Sequence, residues 1–154
     1  MAIQKSSTKT ALDLGNFESV VDEKLNSIFQ RLTKNQTIID KSISYALSNP
    51  GKRIRPTLVF LVGDFLGIET SRLESIAGAI ELIHTYSLVH DDLPCMDDDD
   101  LRRGKPTLHK KFNESTAVLA GDALQTLAFN LILDDKNLNI SEKHDLLSDL
   151  AKRI

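Results

Sequence analysis

Apolar residues recur at steps of three and four along nearly the whole chain, and nowhere at sustained steps of two. Phe17, Val20, Val21, Leu25, Ile28, Phe29 and Leu32 make one stripe, with Lys24 its only polar member. Ile38, Ile39, Ile43, Ala46 and Leu47, with Ser42 among them, make a second. Such spacing lines up side chains on one side of a 3.6-residue helix, whereas a half-buried strand demands alternation. An all-α fold is therefore expected. The segment TLVFLVGDFLG (57–67) is apolar nearly all round, which predicts a central, buried helix. Pro56 is expected as its first residue, where a fixed φ and a missing N–H do no harm. A long helix is expected over 71–90, ended by Pro94 through its steric effect on Leu93. After a polar loop (94–112), NESTAVLAGDALQTLAFNLIL predicts another long helix, capped by Asn113 or Ser115. A last amphipathic stretch from Ser141 carries Leu146, Leu147, Leu150 and Ile154.

Composition narrows what such a fold does. A net charge of -3, with Lys+Arg at 19 against Asp+Glu at 22, argues against nucleic acid as a partner. The absence of Trp and an aromatic share of 5% argue against base stacking. A single cysteine, Cys95, forbids an internal disulfide and fits a reducing compartment. The N-terminal MAIQKSSTKTALDLGN lacks the apolar core of a secretory signal. Residues 1–16 are read as a flexible tail and 17–154 as one helical unit in the cytoplasm. No apolar run is expected to reach the roughly 20 residues that span a bilayer. The chain stops at LLSDLAKRI within a helical pattern, so it is expected to be the first part of a larger helical domain.

The stretch LVHDDLPCMDDDDLRRGKPT (88–107) places six aspartates between Asp91 and Asp100. Two carboxylates 5 Å apart repel by roughly 1 kcal/mol in water and by more near a protein surface. Such a run is either fully solvated or presented to a cation. Ile80, His84, Ser87 and Asp91 step by four, three and four residues and so share a helix face. Asp91 and Asp92 sit at that helix's C-terminus, where the macrodipole is already negative. Pro94 allows the chain to turn and return Asp97 to Asp91. Converging carboxylates suit Mg²⁺; the ligand spacing and central glycine of an EF-hand calcium loop are missing. Arg102 and Arg103 follow at once, and Lys52, Arg53 and Arg55 precede a helix N-terminus. Both clusters suit phosphate oxygens, so two phosphorylated ligands are expected, one bound through Mg²⁺. Cys95 is read as a bystander, His90 as structural or exposed, and Gly121 with Asp122 as a structural pair. Asp64 is expected to find a partner in its apolar helix, and His109 and Lys110 are read as solvated loop residues.

GKRIRP, ELIHTYSLVHDDLPCMDDDDLRRGKPT and AGDAL resemble the first half of a trans-isoprenyl diphosphate synthase, most closely the bacterial short-chain enzymes that make farnesyl diphosphate. The likeness covers residues 49–133. It implies an isoprenoid synthase-type helical bundle and Mg²⁺-dependent head-to-tail condensation of isopentenyl diphosphate with an allylic diphosphate (dimethylallyl or geranyl). Asp91 and Asp97 would be the direct ligands of Mg²⁺, with Mn²⁺ as a substitute, and Asp92 would support them. Arg102 would bind the allylic diphosphate, and Lys52, Arg55, His84 and Arg103 isopentenyl diphosphate. Tyr86, about 7.5 Å before Asp91 along the helix, would limit product length together with Ser87. The resemblance further implies a homodimer through residues 115–133. The family's second aspartate-rich motif does not occur in these residues, so the chain alone is expected to be inactive. Alternatives are a geranylgeranyl diphosphate synthase, or a non-catalytic diphosphate-binding half-protein that partners a complete subunit. A terpene cyclase-like relative is disfavoured by GKRIRP and LRRG.

Overall fold

The computed structural model describes residues 14–49 and 51–152, with side chains from residue 21 on except residues 24 and 32. Of the tail expected over 1–16, residues 1–13 lie outside the described residues and 14–16 fall in the first turn of α1; the side chains of Phe17, Val20, Lys24 and Leu32, and Ile154, also lie outside them. Among the described residues, seven helices run in the order α1 (Leu14–Leu32), α2 (Ile38–Leu47), α3 (Ile54–Phe65), α4 (Glu74–Asp91), α5 (Leu108–Lys111), α6 (Glu114–Leu133) and α7 (Ile140–Ala151). A 3-10 turn, Thr70–Arg72, leads into α4.

The core is the pairing of α4 with α6. Ala77, Gly78, Ala79, Leu82, Thr85 and Val89 are buried along α4, and Ala117, Ala120, Gly121, Leu124, Ala128 and Ile132 along α6. Small side chains on both faces let the two axes come close, and Leu82 and Leu124 fill the seam. Full burial of a leucine is worth roughly 1.5–3 kcal/mol. Val21, Leu25, Ile28 and Phe29 of α1, Ile43 and Leu47 of α2 and Phe60 of α3 join this core. Caps punctuate the helices as the sequence requires: Asn113 accepts from the Thr116 amide, and capping boxes at Thr37–Asp40 and Asn139–Glu142 start α2 and α7.

Three expectations need correction. Helix α3 is peripheral rather than central. Pro56, Phe60 and Gly63 are buried, while Leu58, Val62, Leu66 and Phe65 (82% exposed) face outward. Apolarity all round a helix reports what it can bury, not what lies beside it. Pro56 is the third residue of α3, because the helix opens at Ile54 behind Arg53, whose φ is +46. Finally, α6 is, by length and composition, apolar enough to cross a bilayer, contrary to expectation. Its packing along α4 makes it the core helix of this fold, so that resemblance to a span is weak.

The loop after α4 also holds a feature with no counterpart in the expected all-helical pattern. Leu101–Arg102 and Lys105–Pro106 pair antiparallel as β1 and β2. Arg103 (φ +53) and Gly104 (φ +78) form the turn between them. Positive φ at both central residues is the signature of the I′ hairpin turn, whose twist matches that of the strands.

Candidate functional site

Two charged motifs meet at one end of α4, with the hairpin between them. The basic motif begins with Arg53, which is 6% exposed and buried beneath the surface its neighbours form. Its Nε donates to Asp22 of α1 at 2.9 Å, one Nη to Glu81 of α4, and the other to the Leu47 carbonyl of α2 at 3.2 Å. Three helices are thus tied to the start of α3. Sequence reasoning grouped Arg53 with the ligand-facing cations, but the structure commits it to the fold. The available signal was Glu81, a lone carboxylate within an apolar helix.

Around that anchor, Lys52, Arg55, His84 and Arg103 line one open cavity of about 470 Å³, together with Gly51, Ile54, Arg53 and Glu81. Glu81 is held by Arg53, so the cavity is strongly cationic. Arg55 Nη1 lies 3.3 Å from His84 Nε2. Burial, and then the Arg55 charge, lower the pKa of His84 from its ordinary value, with Arg103 and Arg102 adding to the effect and Glu81 opposing it. A neutral imidazole can accept from Arg55. Arg103 reaches the cavity from the hairpin, its Nη1 donating to the Asn49 carbonyl at 2.8 Å. A β-carbon at Gly51 would stand 2.5 Å from its Nη2, so any other residue there has to shift this guanidinium, the far end of a long side chain.

The hairpin is fastened from outside itself. Asn49 Nδ2 donates to the Arg102 carbonyl at 3.0 Å, and the Tyr45 hydroxyl to the Pro106 carbonyl at 2.9 Å. These partners are 53 and 61 residues apart in sequence. Such links leave no local pattern, which is why residues 94–112 read only as a polar loop.

In the acidic motif, Asp91 is half-buried at the end of α4, and the Asp97 amide donates to the Asp91 carbonyl at 2.8 Å. The chain therefore does turn after Pro94 and brings the two residues together. Among the described residues, neither carboxylate is paired with a protein cation. Asp92 is 3% exposed and faces the hairpin, where Arg102 Nε donates to its two oxygens at 2.8 and 2.9 Å and Nη2 adds a further bond. The Asp92 carboxylate raises the pKa of Arg102, opposed by burial. Arg102 also lies 3.6 Å from Asp99, and Lys110 pairs with Asp100 at 2.7 Å.

Other expected roles resolve as follows. Tyr86 is half-buried and meets His90 edge-on at a centroid distance of 5.1 Å, while Ser87 donates back to the His84 carbonyl. His90 rests on Gly121, where a β-carbon would fall 2.1 Å from its Nε2, and lies 3.9 Å from Asp122. Asp64 is exposed, so water can satisfy the carboxylate for which a partner was expected. Cys95 is exposed. His109 was expected to be solvated and is instead 7% exposed. It lies, with Asp98 and Asp100, in a group whose ligand atoms are all within 4.8 Å of one another.

Residues 36–153 match the family model described as Polyprenyl synthetase. The chain is 44% identical over 140 residues to the farnesyl diphosphate synthase of Haemophilus influenzae, covering 91% of this chain and 48% of that protein. It is 42% identical over 144 residues to geranylgeranyl pyrophosphate synthase 7, chloroplastic, of Arabidopsis thaliana, covering 90% of this chain and 42% of that one. Among solved structures, the apo FPP/GFPP synthase of Zymomonas mobilis superposes with a TM-score of 0.79 at 38% identity, covering 90% of this chain and 50% of that one. The chain spans about half the length of the curated relatives it matches.

Proposed function

The chain belongs to the polyprenyl synthetase family, and from that premise we propose that it supplies one half of the active site of a short-chain prenyltransferase acting on isopentenyl diphosphate and an allylic diphosphate. The observation that carries this reading is the cavity that gathers Lys52, Arg55, His84 and Arg103 beside an aspartate loop. A diphosphate is the ligand such a cavity suits: several donors converge on it, and the one carboxylate in its wall is already neutralised.

The cavity would hold isopentenyl diphosphate. Arg102 and the aspartate loop would hold the allylic diphosphate across the hairpin. Arg102 gives Nε and Nη2 to Asp92, which fixes the plane of its guanidinium and leaves Nη1 for a phosphate oxygen. The carboxylates of Asp91 and Asp97 fit a hard divalent cation, Mg²⁺ or Mn²⁺, which when bound neutralises charge on the departing diphosphate. In the condensation the allylic C–O bond breaks with its electron pair leaving on the diphosphate, the isopentenyl double bond attacks the resulting allylic cation, and the condensed cation loses a proton to form the product's new double bond. No protein nucleophile is required, so the residues here position and neutralise charge. Farnesyl rather than geranylgeranyl diphosphate is the proposed product, because Tyr86 occupies the helix turn before Asp91. The exposed Val118, Leu119 and Leu133 of α6 support pairing with a second subunit along that helix.

Binding of isopentenyl diphosphate by calorimetry tests the reading directly. Arg55→Ala and Lys52→Ala should each weaken binding about tenfold, the worth of one charge-assisted hydrogen bond to a phosphate. Unchanged affinity in both variants would remove the cavity from this role. In the complete enzyme, Tyr86→Ala should lengthen the product seen by chromatography, and an unaltered product would free Tyr86 from chain-length control. The purified 154-residue chain should bind diphosphates without turning them over; sustained Mg²⁺-dependent diphosphate release from it would sink the half-site reading.

A further inference from the structure

Thr107 pairs the two legs of the hairpin below its strands. Its amide donates to the Asp100 carbonyl at 3.0 Å and its hydroxyl to the Asp99 carbonyl at 2.8 Å. The hydroxyl's one proton is used there, so at its 3.2 Å contact with His109 Nδ1 the oxygen accepts. Nδ1 therefore carries the ring proton, and Nε2 holds a lone pair. Nε2 is buried and has no hydrogen-bond partner, on a residue 7% exposed. An imidazole oriented through one nitrogen, with a bare lone pair on the other, is the arrangement that metal-bound histidines show. A ring nitrogen of His109 and carboxylate oxygens of Asp98 and Asp100 lie within 4.8 Å of one another.

We propose that Asp98, Asp100 and His109 form a second cation site, distinct from the Asp91–Asp97 pair, that takes a divalent transition ion of the Zn²⁺ class. The donor set decides the class. One imidazole and two carboxylates suit Zn²⁺, whereas Mg²⁺ prefers oxygen alone and keeps its waters. Ligand atoms around a tetrahedral Zn²⁺ stand about 3.3 Å apart at bond lengths near 2.0–2.1 Å. The exposed side chains of Asp98 and Asp100 must therefore close inward, with Lys110 yielding an oxygen of Asp100. The ion joins the two legs of the hairpin, Asp98 and Asp100 on one and His109 on the other. It thereby staples the turn that carries Arg102 and Arg103.

The test is titration of the protein with Zn²⁺ in excess Mg²⁺, followed by calorimetry and by the ¹⁵N shifts of the histidine rings. A single equivalent should bind, move the His109 Nε2 resonance, and slow amide exchange over residues 101–106. Asp98→Asn should weaken binding by about tenfold or more and His109→Gln should abolish it, while Asp97→Asn should leave it intact. Should His109→Gln fail to fold, the wild-type Nε2 shift and the exposed Asp98→Asn variant still decide. The proposal is overturned by absence of binding, by an unmoved His109 resonance, by affinity indifferent to Asp98→Asn, or by loss of binding in Asp97→Asn, which would place the ion in the aspartate pair.

Discussion

Arg53 and Asp92 are both buried charges inside motifs whose other members face solvent, yet they are neutralised differently. Arg53 draws its partners from three helices, Asp22, Glu81 and the Leu47 carbonyl, up to 31 residues away. Asp92 is met by one residue, Arg102, ten positions on and carried by a two-stranded turn. The basic motif is therefore framed by the core, and the acidic motif by the hairpin. Each frame sets what a substitution can disturb. A change at Arg53 should reach the whole molecule, whereas one at Asp92 should reach the loop.

The largest effect is expected from Arg53→Ala, which leaves Glu81 charged and buried without a partner. Stability to urea should fall by about 3–5 kcal/mol, the cost of breaking one side of a buried pair. A loss below roughly 1 kcal/mol would put Arg53 on the same footing as a surface cation and break the comparison. Asp92→Asn should cost less, about 1–3 kcal/mol, and should speed amide exchange in residues 101–106 without affecting α4 or α6. Uniform exchange across the core would instead make Asp92 part of the global frame.

Gly51→Ala sharpens the contrast from the cavity side. Its β-carbon must displace the Arg103 guanidinium, so isopentenyl diphosphate affinity should drop several-fold, on the order of one lost phosphate contact, with little change in melting temperature. Unchanged affinity would show that Arg103 binds from another position. The smallest effect concerns His84, whose pKa is lowered by burial and by Arg55. Between its folded and unfolded values the unfolded chain binds more protons, so stability rises with pH there. The contribution is complete above the ordinary histidine range and fades as pH falls below it. A bound diphosphate should raise this pKa and cause proton uptake in weakly acidic buffer, measurable by calorimetry in buffers of different ionisation enthalpy. Absence of uptake would separate His84 from the ligand.

Much of this was legible in the sequence where a single helix carries the information. The apolar run over 113–133 announces the long helix α6, Asn113 is one of the two caps offered for it and the one used, and Pro94 announces the turn that returns Asp97 to Asp91. Lys52, Arg55, His84 and Arg103 were chosen by motif resemblance, and they do line one cavity. What stayed illegible depends on neighbours distant in the chain. Nothing local distinguishes Arg53 from Arg55, since only the positions of Asp22 and Glu81 decide which one is buried. His109 looks solvated until the second leg of the hairpin, on which it lies, folds back against Asp99 and Asp100. The outward face of α3 carries the same residues as a buried one, and a sequence pattern cannot state what lies opposite.

Arg103 also sets stability against utility. Its left-handed backbone is one that glycine adopts freely and asparagine tolerates, and a bulkier residue there costs about 1 kcal/mol. A library at position 103 selected only for heat resistance should drift toward glycine or asparagine and tighten the hairpin as it did so. The same library selected for substrate capture should return to arginine. Opposite winners from one codon would show that the molecule keeps a slightly strained turn because the turn holds out a cation.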